Sequence, residues 1–406
     1  MRFPAHRALA WCSFAGVRLN LNPFLGVLLH WTGGLSAASC YLPFRGIRRW
    51  SWEIYWLAQG VFSWIVVPPI FAAMLVPGFA AILHGASANT LFYTWFWGAM
   101  WGIGGLLFGL GVRYLGIALG YTIALGFSTA FGTLMPPLFA GQLAGIAKDR
   151  AGQVVLLGVA VCLSAIVVSG FAGRMKEREL AGKTVEEAAA PGGKGEYRFE
   201  RGILVASFAG IMSACFAYGL AAGKPMSDAS RALLLGTGRS DLWQSLPALV
   251  VVLWGGFVTN FVWSAILIAK NHSIGQFAGE PGDNPMGTAS TTGETLVDFD
   301  PRNYLGRING SVLLRNYLFA GMAGIIWYFQ FFFYSMGETR MGKFNFASWT
   351  LHMASIILFA NLWGIALKEW KGTSTKTKTL VACGLMLLVT STVVIGWGSY
   401  LKMKGM

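Results

Sequence analysis

Charge is scarce in this chain. Only 12% of its 406 residues are Asp, Glu, Lys or Arg, while 55% are hydrophobic. An ordinary globular domain carries about 25% charged residues, so the chain has too little charge to cover a water-exposed surface of its own size. Acids are scarcest, 17 against 31 Lys and Arg, which leaves a net charge of +14. In a soluble protein that imbalance points to nucleic acid. Here the basic residues sit between apolar runs, where they read as topology signals and contacts to membrane lipids, and no nucleic-acid partner is expected. The five cysteines (12, 40, 162, 215 and 383) show no CxxC spacing, and four lie in or beside apolar runs. They are expected to be reduced structural thiols, with no metal site and no bound cofactor. The absence of GxxxxGK[ST] argues against an ATP-driven pump. The absence of alternating ten-residue strands excludes a membrane barrel.

What is present is a series of long apolar runs. Ten are near the length of about 20 residues that spans a bilayer: 23–44, 51–75, 90–112, 114–138, 152–172, 201–222, 244–269, 311–335, 345–367 and 379–400. Backbone polar groups cannot stay unpaired in hydrocarbon, so each run must be a helix. The fold class expected is an all-α membrane protein with ten transmembrane helices. Glycine (53) and tryptophan (17) are abundant, as suits close helix crossings and headgroup-level anchors. The pairs Gly98/Gly102, Gly105/Gly109 and Gly116/Gly120 have the small-xxx-small spacing of such crossings.

Two polar stretches interrupt the pattern. Residues 173–200 are dense in charge, and 270–309 are rich in Gly, Pro, Ser and Thr. Both read as solvated loops, the second too polar to bury. The chain then divides into an N-terminal tail (1–22), a five-helix unit (23–172), a cytoplasmic loop (173–200), a second five-helix unit (201–400) carrying the 270–309 insertion, and a C-terminal tail (401–406). The connections after odd-numbered helices, counted with Arg201 and Arg315 in the first turns of the runs that follow them, hold 19 of the 31 Lys and Arg. The positive-inside rule therefore places them in the cytoplasm and both termini outside. The arginines of the tail followed by LSAASC (35–40) have the outline of a lipoprotein cleavage site, but Ala37 and the nine further runs favour a genuine first helix.

The halves carry a weak repeat. GLSAASCY (34–41) in the first run matches GIMSACFAY (210–218) in the sixth, and each leads to a basic residue, Arg45 or Lys224. GVRYLG (111–116) joins runs three and four, as GETRMG (337–342) joins eight and nine. An odd number of helices per half inverts the second half, and inverted repeats place a substrate site near the bilayer midplane.

Several stretches together resemble one family: RRWSWE (48–53), GAMWGIG (98–104), RYLG (113–116), GTLMPP (132–137), KPM (224–226), WYFQFFFY (327–334), LHM (351–353) and LKEW (367–370). The chain is similar along nearly its whole length, from about Asn22, to the L-rhamnose–proton symporters of the drug/metabolite transporter superfamily. The resemblance implies two inverted five-helix repeats in a bacterial inner membrane. It also implies proton-coupled uptake of L-rhamnose or a related deoxysugar or pentose, with no enzyme activity. Residues 1–21 and the expanded 270–309 loop depart from the family pattern and leave room for another sugar.

Uphill transport without ATP needs an ion gradient, of protons or of sodium, and a proton carrier needs a titratable group facing the pathway. The 17 acids lie in loops or at the ends of runs, and only Glu53, Glu338 and Glu369 come near the hydrocarbon. Coupling candidates are His352 and His30, inside runs nine and one and titrating near neutrality, together with Glu53 and Glu338. Each has a structural alternative: a histidine bonded to a backbone carbonyl, a Glu53 serving the helix dipole, a Glu338 paired locally with Arg340. A neutral sugar needs amides for its hydroxyls and a flat apolar surface for its ring. Gln330, Trp327, Tyr328, Asn260, Asn316, Asn361, Trp97 and Trp101 offer these, with interhelical hydrogen bonds and packing as the alternatives. Arg113, Lys224 and Arg340 are candidate gating cations; for Arg113 and Lys224 the alternative is snorkelling to headgroups. Pro68-Pro69 and Pro136-Pro137 break helices near their ends. An exporter or exchanger of another small metabolite or drug on the same fold is the alternative function. A channel or a lipid-processing enzyme finds no ring of like residues and no acid or histidine cluster to support it.

Overall fold

The computed structural model describes residues 22–115, 117–184, 199–281 and 307–405. Among them there is no strand, and fourteen α-helices run in chain order. They are α1 (Pro23–Ser39), α2 (Trp52–Gly60), α3 (Val67–Leu75), α4 (Phe79–Gly85), α5 (Ala88–Leu115), α6 (Ile117–Phe139), α7 (Leu143–Lys148), α8 (Arg150–Thr184), α9 (Phe199–Ala222), α10 (Lys224–Gly236), α11 (Leu246–Lys270), α12 (Gly310–Arg340), α13 (Ser348–Ala366) and α14 (Thr375–Lys404). A π-helical turn, Val61–Val66, joins α2 to α3. Nine helical stretches among the described residues are long and apolar enough to cross a membrane. The remaining apolar run is α1, 17 residues long.

Local chemistry sets the helix ends. Asn22 caps α1 by accepting from the Leu25 amide at 3.1 Å, and Asn309 caps α12 through Val312 at 3.0 Å. Such side chains satisfy amides that the first turn leaves without carbonyl partners. Proline stands in the first turn of α1, α10 and α11, where its missing N–H costs nothing. Pro68 and Pro69 have the opposite effect: they lack the N–H groups that would bond the carbonyls of Trp64 and Ile65, four residues back. The preceding turn widens, and the Val67 amide bonds Phe62 O instead. One residue is thus inserted into the helix, and Gln59, Ser63 and Trp64 face the interior, all nearly fully buried.

Packing follows a repeated scheme. α1 lies on α12 and α13, as α9 lies on α5 and α6; α2 and α3 meet α12, as α11 meets α5; α8 pairs with α14. Shifting every partner by five spans maps one half of this scheme onto the other. Glycines make the crossings close. A Cβ at Gly33 would come within 2.7 Å of Gln330 O, and one at Gly98 would enter the carbonyl of Val252. The outward surface is apolar: Leu204, Phe139, Met386, Leu318 and Met74 are all more than 60% exposed, as lipid contact requires and water does not favour.

Several expectations are corrected. The first run ends as helix at Ser39, followed by a 3-10 turn at Pro43–Gly46, because Pro43 and Gly46 interrupt it. Residues 173–184 continue α8 as helix, since their charges tolerate solvent on a helix that is already nucleated. The start of the 270–309 stretch is not solvated: Asn271, Ser273 and Gln276 are buried, each with hydrogen-bond partners. α12 reaches Arg340, so Glu338 belongs to its last turn rather than to a connection. The short helices α4, α7 and α10 lie in segments expected to be plain connections. The N-terminal tail with Cys12, the centres of both polar stretches (185–198 and 282–306) and Gly116 lie outside the described residues. Cys162, Cys215 and Cys383 are free thiols.

Candidate functional site

An aromatic column runs through the centre of the bundle. Trp52 stacks on Trp56 at 5.3 Å, and Trp56 meets Trp64 at 6.2 Å. The π turn delivers Trp64 edge-on to Trp327 of α12 at 5.1 Å. Trp327 continues to Trp101 at 5.9 Å and Phe331 at 5.1 Å. Phe216 of α9 stacks on Phe331 at 4.1 Å and on Trp349 at 5.6 Å. Tyr334, one helical turn below Phe331, meets Trp349 at 5.7 Å. Both halves of the chain contribute rings: α2, the π turn and α5 from the first, α9, α12 and α13 from the second.

The column ends on two histidines. Tyr334 lies 5.1 Å from the ring of His352 and 5.3 Å from that of His30. Both imidazoles are completely buried, and they lie within electrostatic reach of each other. None of their four ring nitrogens has a hydrogen-bond partner among the described residues. A buried polar group without a partner costs about 1–3 kcal/mol, so two adjacent ones call for a function. The backbone around them is fixed. The single Ser355 hydroxyl proton is shared between the carbonyls of His30 at 2.9 Å and His352 at 2.8 Å, and Gly34 packs directly against Ser355. A Cβ at Gly337 would stand 2.9 Å from His30 Nε2, so that glycine gives the imidazole its room. The next residue, Glu338, is partly buried and within electrostatic reach of Tyr334 and Lys224. The structure thus brings His30 of α1 and His352 of α13 together against Tyr334 of α12, with Glu338 one turn further along α12.

Other candidates are distributed around this centre. Trp327 and Trp101 are in the column. Gln330 is buried one residue before Phe331, with its helix edge against α1. Tyr328 turns away to Phe71 and Phe332, and its buried hydroxyl has no partner among the described residues. Asn260 accepts from Trp56 Nε1 at 3.2 Å and donates to Gly256 O at 2.9 Å, which holds α11 to α2 beside the column. Trp97 lies off the column, partly buried, against Tyr218 at 5.5 Å. Asn316 has both arms engaged by the Arg48 backbone, at 3.0 and 2.7 Å. That fastens α12 to the chain before α2. Asn361 bonds its own helix at Ile357 O, 2.9 Å, on the partly buried rim of α13.

The charged candidates form locks at the helix ends. Glu53 is fully buried and accepts from Asn271 Nδ2 at 3.0 Å and Ser273 Oγ at 2.9 Å. Gln276 beside them accepts from the Ser51 amide at 2.7 Å. Arg340 reaches Asp241 at 2.6 Å, with side-chain exposures of 5% and 14%. The local Glu338–Arg340 pairing is thus superseded by a bond that ties α12 to the segment before α11. Lys224 pairs with Asp228 at 2.7 Å on the surface. The side chain of Arg113 lies outside the described residues. Sequence reasoning missed Asp241, which no local pattern marks. It also missed Gln59, whose two amide atoms are buried without a partner among the described residues. A Gln inside an apolar run ahead of a Pro-Pro pair was the available signal.

This arrangement is a column of rings packed on one another that ends on two buried imidazoles. It sits in a chain with wide resemblances. Residues 19–279 and 306–400 match the family described as L-rhamnose-proton symport protein (RhaT). The chain is 32% identical, over 375 residues, to proteins of Cronobacter sakazakii, Klebsiella pneumoniae and Shigella dysenteriae, each named L-rhamnose-proton symporter. Each alignment covers 92% of this chain and 97% of the relative. No solved structure matches the chain. With the family matched across both halves and nine apolar spans among the described residues, this is a multi-pass membrane transporter, and the chain belongs to the L-rhamnose-proton symport protein family.

Proposed function

We propose that this chain carries L-rhamnose, or a closely related deoxysugar, into the cell across the bacterial inner membrane together with a proton. The observation that carries the reading is the pair of buried, unpartnered imidazoles of His30 and His352 at the end of the aromatic column. A 6-deoxysugar has an apolar face extended by its methyl group, and aromatic rings bind that kind of face. Its hydroxyls then find Gln59 and Gln330 along the same helices and the imidazoles below. The same imidazoles, with Glu338 one turn beyond Tyr334, hold the proton. An imidazole that accepts a proton from one side becomes a better donor to a sugar hydroxyl, which couples the two cargoes at one place.

The repeated packing scheme supports two inverted five-helix repeats, whose rocking about the column would expose it to either side in turn. The excess of Lys and Arg in the odd-numbered connections supports a cytoplasmic placement for them and an outside placement for both termini. Adding L-rhamnose to de-energised cells that contain the protein tests the reading. The medium turns alkaline as sugar and protons enter together. A medium that stays at constant pH while labelled sugar enters contradicts proton coupling.

A further inference from the structure

We infer that the α13–α14 connection is a binding site for a phosphate group, and that the phosphate belongs to an anionic phospholipid. The site is a cavity of about 450 Å³ lined by Lys368, Lys371, Lys378, Trp370, Ile365 and Val381. Its charged wall is cationic only. None of its three lysines is in an ion pair among the described residues, so each keeps its charge available. Of its apolar residues, Ile365 forms an outward foot: it is 47% exposed on α13, near Leu362 at 43%. A phosphodiester seated among the lysines would leave its acyl chains to run along that apolar surface. A free phosphate would use the lysines and not the foot. Basic recesses between transmembrane helices at headgroup level are where anionic lipids bind.

The connection is built to hold these lysines in place. Lys368 adopts a left-handed conformation, φ 61°, which an unbranched L-residue takes up only at a cost. The turn is closed by the Lys371 amide on Lys368 O at 3.0 Å and by Thr373 Oγ1 on Trp370 O at 2.8 Å. α8 secures both sides of it. Lys176 pairs with Glu369 at 3.3 Å and lies 4.7 Å over the Trp370 ring. Glu179 accepts from the Ser374 amide at 2.7 Å and from Thr377 Oγ1 at 2.7 Å. Both neighbouring carboxylates are thereby engaged by other partners, and among the described residues no carboxylate forms an ion pair with the left-handed Lys368.

Purified full-length protein in detergent, titrated separately with phosphatidylglycerol, phosphatidylethanolamine and inorganic phosphate, tests the site by native mass spectrometry and thermal unfolding. Phosphatidylglycerol should remain bound and raise the unfolding temperature, phosphatidylethanolamine should do so at least fivefold more weakly, and inorganic phosphate should have no effect at matched concentration. The triple variant Lys368→Gln/Lys371→Gln/Lys378→Gln should lose the preference. A control double variant at the other end of α14, Lys402→Gln/Lys404→Gln, should retain it. Equal retention of the two lipids, an unchanged preference in the triple variant, or equal loss in the control overturns the site. Stabilisation by inorganic phosphate as strong as by the lipid overturns the lipid as its source.

Discussion

His30 and His352 each sit in an apolar run, and the sequence cannot say whether such a histidine is bonded to a carbonyl or left open. Only the packing of α1, α12 and α13 shows their rings against Tyr334 with no partner for any nitrogen among the described residues. A histidine retained for stability would lose stability on replacement; an unpartnered one should not. His352→Leu should therefore leave the unfolding temperature of the purified protein unchanged or slightly raised, while sugar accumulation falls at least tenfold. A drop of several degrees in unfolding temperature would return the residue to a structural role. The charged lock behaves oppositely. Removing one partner of a buried ion pair costs about 3–5 kcal/mol, so Asp241→Asn should destabilise the protein by roughly that amount. Asp241→Asn/Arg340→Gln should recover part of the loss, which a double-mutant cycle measures. Asp241 could not be anticipated, because its partner is 99 residues away in sequence. Asn316 could be anticipated as polar but not as a clasp on the Arg48 backbone, since the partner is main chain and carries no sequence signature.

At the scale of elements, the apolar runs mark the helices well, because length and hydropathy alone decide what crosses a bilayer. Their ends are less legible. α12 continues past its apolar stretch through Gly337, Glu338 and Thr339, and α8 through its charged tail, because a helix already formed extends at little cost into residues that reach water or a partner. The π turn is the element with most bearing on the site. Pro68-Pro69 announced a break but not that the insertion would turn Trp64 onto Trp327. Pro68→Ala/Pro69→Ala restores two N–H donors and should favour a regular α-helix, rotating Gln59 away from the column relative to Val67 and beyond. The expected outcome is a KM for sugar raised at least fivefold with the protein still folded and inserted. An unchanged KM would remove the π turn from substrate binding. Close crossings give a second test. Gly98→Leu drives a side chain into the Val252 carbonyl, an overpacking worth about 1–3 kcal/mol. Gly105→Leu on the same helix meets open space and should leave the unfolding temperature within a degree or two.

For the whole molecule, the repeated packing places the aromatic column and the two histidines where both halves meet, the position from which a carrier can open to either side. One lock, Glu53 with Asn271 and Ser273, lies where α2 begins and α11 ends; another, Asp241 with Arg340, lies where α11 begins and α12 ends. The two sit at opposite ends of α11. In the proposed function, sugar and proton move together through this centre. Proteoliposomes containing the purified protein, loaded at neutral pH and diluted into acidic medium with labelled L-rhamnose, measure it directly. Sugar should accumulate above its external concentration for as long as the pH gradient lasts, and a protonophore should reduce it to simple equilibration. Accumulation that a protonophore leaves intact, or equilibration with no response to the gradient, would contradict it.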